Sequence, residues 1–281
     1  MTDPQQLRAR ADEVFERHES GDLEGALDAA DALLAASASL SVDDPVVRES
    51  VFAARFERGV LLTELGDLAA AAEAYAEAAA TPADLTDPDQ RHEVVMAELN
   101  RAILADAVGR HDEALDTYDA IVTRFAAAAD PVTAELVVRA RVNRAAALLA
   151  LDRVAEALAA SETLVADLDG AQPGEAEQLA MAVRIRASAL RAMDRADEAA
   201  AALVAVERCN AEDPAARVQV VAAQADRVRW LSDLGRHDEA DDLVTAVVRR
   251  FGDDPEVAGA VEELRRMPHR DVDPPTRGHD R

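Results

Sequence analysis

The feature that most restricts what this chain can fold into is a regular beat. A turn-like triplet recurs as Leu65-Gly66-Asp67, Val108-Gly109-Arg110, Leu151-Asp152-Arg153, Met193-Asp194-Arg195 and Leu234-Gly235-Arg236, with Gly21-Asp22 as a weaker first copy, so the turn residue advances by 45, 43, 43, 42 and 41 positions. A second marker keeps the same time: Asp3-Pro4, Asp44-Pro45, Asp87-Pro88, Asp130-Pro131, Gln172-Pro173, Asp213-Pro214 and Asp254-Pro255, in steps of 41, 43, 43, 42, 41 and 41. Self-similarity at such a period marks a fold made by stacking one small unit on the next.

Each marker has a local cause. Aspartate before proline starts a helix, because the carboxylate caps free amides and proline at the first helical position loses no hydrogen bond. Glycine at the turn supplies the left-handed backbone that ends a helix, and aspartate tolerates that conformation better than most residues. The unit is therefore Asp-Pro, a helix of about 20 residues, a one-residue turn and a second helix of about 15. A third marker sets the packing. Ala26, Ala71, Ala114, Ala157, Ala199 and Ala240 lie five residues after the turn, and Val14, Gly59, Ala102, Ala145, Ala187 and Val228 lie seven before it. Small residues on both sides let the paired helices approach closely, and Leu62, Leu148, Leu190, Leu231, Tyr75 and Tyr118 are expected to fill the space around that contact. One hairpin buries too little to offset its ordering entropy, so neighbouring copies must supply the core.

With Asn143-Arg144-Ala145-Ala146-Ala147-Leu148-Leu149-Ala150-Leu151 before a turn and Gly109-Arg110-His111-Asp112-Glu113-Ala114-Leu115 across one, the chain resembles the tetratricopeptide repeat family. That family repeats every 34 residues. Here the period is about 42, so both helices are about a turn longer, the family's signature tryptophan is missing from its place, and Asp152 and Asp194 replace the turn glycine. The resemblance implies an all-α, right-handed αα-hairpin solenoid of six helix pairs plus a C-terminal capping helix. Its predicted repeats are 3–43, 44–86, 87–129, 130–171, 172–212 and 213–253, with the cap helix within 254–267, from Glu256 to Met267, and a disordered tail at 268–281.

Composition narrows the chemistry. Alanine supplies 65 of the 281 residues and aromatics only 3%, which fits helices and not a β-sandwich or barrel. All 30 basic residues are arginine, so lysine-dependent phosphate, Schiff-base and Ser-Lys chemistry is excluded. Lysine-free, alanine- and arginine-rich usage points to a high-GC bacterium, actinobacterial or salt-adapted. A net charge of −26 repels phosphate backbones and anionic lipid, so neither nucleic acid nor a membrane is expected as a partner. Cys209 stands alone, and the N-terminal residues show no basic-then-apolar leader, consistent with a cytoplasmic protein. The six histidines are scattered, with His111 and His237 in one turn-adjacent register, and no metal-ligand, nucleophile or dinucleotide motif occurs. No catalytic, cofactor-binding or metal residues are predicted, and the chain is expected not to be an enzyme.

Two registers remain. Arg58, Arg101, Arg144, Arg186 and Arg227 lie eight residues before the turn. They are either structural, bonding carboxylates such as Glu113, Glu156, Glu198 and Glu239, or a row of anion receptors; a position repeated in every unit favours the first. One residue earlier the series reads Glu57, Asn100, Asn143, Ile185 and Asp226. The resemblance implies that first helices line a concave groove where asparagines hold a peptide backbone, since one amide side chain both donates and accepts. Neighbouring positions run from Ala53, Thr63 and Glu64, through Met96, Ile103 and Asp106, to Arg139, Arg184, Ser188, Arg191, Arg229 and Asp233. The expected function is a protein- or peptide-interaction module or scaffold, with a peptide-sensing regulator as the alternative. The expected partner lies extended across Asn100, Asn143, Met96 and Ile103, its acidic segment or free C-terminus toward Arg139, Arg184, Arg191 and Arg229.

Overall fold

A computed structural model describes residues 3–128, 130–171 and 174–267. The Gln172-Pro173 marker and the tail expected at 268–281 lie outside the described residues. Helices α1 (Pro4–Glu19), α2 (Leu23–Ser37), α3 (Pro45–Glu64), α4 (Leu68–Ala79), α5 (Pro88–Ala107), α6 (His111–Phe125) and α7 (Pro131–Ala150) belong to a compact unit within residues 1–151. Helices α8 (Val154–Asp167), α9 (Glu175–Ala192), α10 (Ala196–Ala202), α11 (Pro214–Asp233), α12 (His237–Phe251) and α13 (Ala258–Arg266) belong to a second, within 152–281. No strand occurs among the described residues.

The helix starts follow from the capping chemistry. Asp3, Asp44, Asp87, Asp130 and Asp213 each sit in extended backbone, accept a first-turn amide on the side chain and are followed by proline. Among the second helices, α2 and α4 are capped by Asp22 and Asp67, whereas α6, α8, α10 and α12 follow an arginine that makes no side-chain cap. The turn residues Gly21, Gly66, Gly109 and Gly235 all have positive φ, and Asp152 and Asp194 take the same left-handed conformation at 58° and 59°.

Both small-residue registers are buried throughout. Ala26, Ala71, Ala114, Ala157 and Ala199 are fully inaccessible and Ala240 nearly so, as are Val14, Ala102, Ala145, Ala187 and Val228 before the turn. Gly59 shows the tolerance of this contact: a Cβ there would stand 2.8 Å from the Tyr75 ring. In the first unit each helix packs on its successor, α1 also lies on α3, and α5 also lies on α7. Val95, Leu99, Tyr118, Ile121 and Leu136 form the core between α5, α6 and α7. In the second unit α9 packs on α8, α10 and α11, and α11 on α12 and α13.

Three elements depart from expectation. The second helix of the fifth period stops as an α-helix at Ala202 and continues as a tighter 3-10 helix, Leu203–Arg208, instead of running about 15 residues. That segment brings the Arg208 guanidinium to the end of α8, where it donates to the carbonyls of Val165 and Leu168 at 3.0 and 2.8 Å. Helix α9 begins after Gly174 in the left-handed conformation, without an aspartate cap. The capping helix starts at Ala258, not Glu256: Asp254 accepts the Glu256 amide, but its other oxygen is held by Arg217 at 2.6 Å and the chain makes a turn before helix begins.

Candidate recognition face

The first helices of the first unit present the expected register. On α5, Met96, Asn100 and Ile103 fall at successive turns of one face; on the adjoining α7, Arg139 and Asn143 are one turn apart. All five are half-buried. Met96 and Ile103 rest on the core around Leu99 and Tyr118, so only part of each side chain remains for a partner. Asn100 lies near the Tyr75 hydroxyl, whose pKa burial raises against the opposing pull of Thr63 and Asn100. Asn143 makes no side-chain hydrogen bond among the described residues.

Arg139 differs from every other described arginine. Arg8, Arg10, Arg249 and Arg250 also lack an ion pair or hydrogen bond, but they are exposed, and Arg250 covers the Phe251 ring at 4.9 Å. Arg139 alone is half-buried with neither. A guanidinium drawn partly out of water without an anion is electrostatically incomplete, and its fork of donors matches a carboxylate.

The second unit treats the remaining expected receptors differently. Arg184 donates to Asp226 at 3.1 Å and to the Gln219 amide oxygen at 3.1 Å. Arg191 pairs with Asp233 at 2.8 Å and lies 5.7 Å from the Trp230 ring centroid. Arg229 reaches Asp226 at 2.9 Å. Ionic neutralisation is therefore internal at all three.

The arginine ladder is structural wherever it can be followed, but its partners are not the expected glutamates. Arg58 reaches Asp31 at 2.9 Å, Arg144 binds Asp119, Arg186 lies 3.8 Å from Glu162 and Arg227 3.6 Å from Glu207, each a residue of the preceding second helix or its 3-10 extension. Arg101 instead donates to the Thr117 hydroxyl at 2.9 Å. Glu113, Glu156, Glu198 and Glu239 pair three residues back with the turn arginines Arg110, Arg153, Arg195 and Arg236. The hydrogen bond from Arg195 is the chief reason the Glu198 pKa is lowered, with the more distant Arg186 contributing least, and Arg236 and Arg227 act on Glu239 in the same order. The local pair wins because residues three apart on a helix already face each other.

Sequence reasoning missed the ties between successive first helices. Arg48 and Glu93 join α3 to α5 at 2.8 Å, and Arg91 reaches the cap residue of α7, Asp130, at 2.6 Å. The Thr133 amide, with Arg91 adding, brings the Asp130 pKa down to about 2. His18 on α1 faces two carboxylates of α3, Glu57 and Glu64. The signal was present as opposite charges offset by about one period, 45, 39 and 39 residues for Arg48, Arg91 and His18 with Glu57. The lone thiol, Cys209, is pushed up to about 11 by burial and is a poor nucleophile there. Among the described residues no cluster of three His, Cys, Asp or Glu side chains is placed to hold a metal, and no helix is long and apolar enough to cross a membrane.

No family model and no curated protein matches the sequence. Solved structures do. A protein from Podosopora anserina with nearly identical TPR-like repeats is 20% identical, with a TM-score of 0.57 over 75% of this chain and 98% of that one. The apo form of the quorum sensor NprR from B. thuringiensis is 12% identical, with a TM-score of 0.66 over 94% of this chain and 70% of that one. NprR in complex with its cognate peptide NprX gives 10% and 0.55, covering 94% and 72%. The fold is a tetratricopeptide-type helical repeat. At these identities the likeness establishes the architecture of the repeat and nothing finer.

Proposed function

We propose that this chain is a non-catalytic protein- or peptide-interaction module of the cytoplasm, and that its recognition face is formed by α5 and α7. The observation that carries the reading is Arg139: a half-buried guanidinium without an anion, one helical turn from an asparagine without a hydrogen bond. An extended peptide would place a side-chain carboxylate or its C-terminus on Arg139, with backbone amides on Asn143 and, in exchange for the Tyr75 hydroxyl, on Asn100. The accessible edges of Met96 and Ile103 would take an apolar side chain. Arg184, Arg191 and Arg229 would form a secondary acid-binding face, weaker because a ligand must displace Asp226 and Asp233. The likeness to NprR, one of whose solved forms holds a peptide, supports a peptide as ligand and keeps a peptide-sensing regulator as the second reading.

The test is affinity capture from native lysate with the full chain and with Arg139→Ala/Asn143→Ala as baits, both checked by circular dichroism for equal helicity. Prey held by the first and lost from the second, competed by a synthetic peptide from that prey, is the expected result. Equal prey on both baits would remove recognition from this face.

A further inference from the structure

The tie between the first helices α1 and α3 is unlike the ties between first helices that follow. Between α3 and α5, and between α5 and the cap of α7, the tie is an arginine with a carboxylate, Arg48–Glu93 and Arg91–Asp130. In the second unit Arg184–Asp226, Arg191–Asp233 and Arg217–Asp254 join α9 to α11 and α11 to the segment before α13. A guanidinium stays charged at every pH a cell meets. At the first joint the cation is an imidazole. His18, one residue before the end of α1, turns Nδ1 to the Glu57 carboxylate and Nε2 to Glu64, the latter at 3.0 Å.

Both ring nitrogens facing carboxylate oxygens require both to carry a proton, which only the imidazolium does; the neutral ring has one N–H and one lone pair. The two acids respond unequally to its loss. Glu64 is half in solvent and can swing out, whereas the Glu57 side chain is 8% exposed and has no other hydrogen-bond donor among the described residues. The arginines adjacent in sequence to the pair are already engaged: Arg17 by Glu13 and Asp22, and Arg58 by Asp31. The groups facing the ring are Glu57 and Glu64 from α3, and the Tyr75 hydroxyl of α4 lies close enough to feel the Glu57 charge.

We propose that His18 is a proton-operated latch, which holds the first helix pair on α3 while the ring is protonated and loosens that pair when the ring becomes neutral. Burial works against the charge on His18, but the hydrogen bonds the ring donates to Glu64 and Glu57 outweigh it, so the ring's pKa is raised from its ordinary 6.5. A raised pKa gives stabilisation that is complete below 6.5 and lost as pH rises through the folded-state value. The apolar contacts of Leu7, Ala11 and Leu33 with Val47 and Val51 are indifferent to pH, so the pair is weakened and not released.

The test uses the full chain from pH 6 to 9. Histidine ring resonances, assigned by loss of one set in His18→Gln, report the titration. Hydrogen exchange of residues 4–37, divided at each pH by that of 88–107 to cancel the intrinsic rate, reports opening. The expected result is a His18 midpoint above 6.5 and, between 6.5 and that midpoint, relative opening of 4–37 that rises about tenfold per pH unit. His18→Gln should give a flat ratio, and Glu64→Gln, at a half-exposed site, a lower midpoint. A His18 midpoint at or below 6.5, or a pH-dependent ratio that survives in His18→Gln, would overturn the latch.

Discussion

The polar face of α5 and α7 in the first unit and that of α9 and α11 in the second both lie on first helices of the repeat, yet their arginines are used in opposite ways. In the first, Arg139 and Asn143 have no ion pair or hydrogen bond among the described residues; in the second, Arg184, Arg191 and Arg229 are all neutralised by Asp226 and Asp233. The helices, turns and small-residue contacts are alike. The difference is a carboxylate within reach: Asp226 and Asp233 lie one period after Arg184 and Arg191 and Asp226 one turn before Arg229, whereas the residue one period after Arg139 is Met181, and it teaches that a repeat can make an arginine either mortar or a receptor through its neighbours.

The comparison can be broken or sharpened by substitution. Gly59→Val should have the largest effect, because its Cβ would meet the Tyr75 ring and Tyr75 in turn supports Asn100. Overpacking of this kind costs about 2 kcal/mol in denaturant unfolding, and affinity for an α5–α7 ligand should fall with it. An unchanged midpoint would mean that the helix pair gives way more easily than its contact distance implies. Asp226→Ala should come next, at about 1 kcal/mol, since it strips a carboxylate from Arg184 and Arg229 at once. It would also give the second face the incomplete electrostatics of the first, so binding of an acidic peptide by the second unit should appear or strengthen; if neither stability nor binding moves, the contrast between the faces has no energetic content.

Arg139→Leu should be neutral or stabilising by up to about 0.5 kcal/mol, because it removes a half-buried charge that nothing compensates. A loss above 1 kcal/mol, beyond what about 0.5 kcal/mol of surface scatter allows, would show that Arg139 already has a structural partner. The smallest change is expected for Asn143→Ala, within about 0.5 kcal/mol by thermal unfolding.

Much of the fold was legible because its causes are local. Aspartate before proline starts a helix at Asp3, Asp44, Asp87, Asp130 and Asp213, and six turn positions accept left-handed backbone whether filled by glycine or by Asp152 and Asp194. Where the cause was not local the reading slipped. The 3-10 winding of Leu203–Arg208 is accompanied by bonds from Arg208 to carbonyls 43 and 40 residues earlier. Asp254 carries the marker of a helix start but is shared with Arg217, and the helix begins later. The candidate face was readable as a register, Asn100 with Met96 and Asn143 with Arg139, but not as a state. The spacing held one clue that the reading did not use: a carboxylate stands one period after Arg184, at Asp226, and none one period after Arg139, where the residue is Met181.

Periodicity, capping and small-residue spacing were thus determined by the sequence, because each depends on a residue and its neighbours within a turn or two of helix. Which charges are spent on the stack and which remain, why the ladder reaches backward to Asp31, Asp119, Glu162 and Glu207, and why His18 meets Glu57 and Glu64 were decided only by the tertiary structure. The physical reason is range. A cap is closed by atoms a few residues apart, whereas an ion pair is chosen by whichever carboxylate the packing of two helices brings within reach, and at a net charge of −26 there is always more than one candidate.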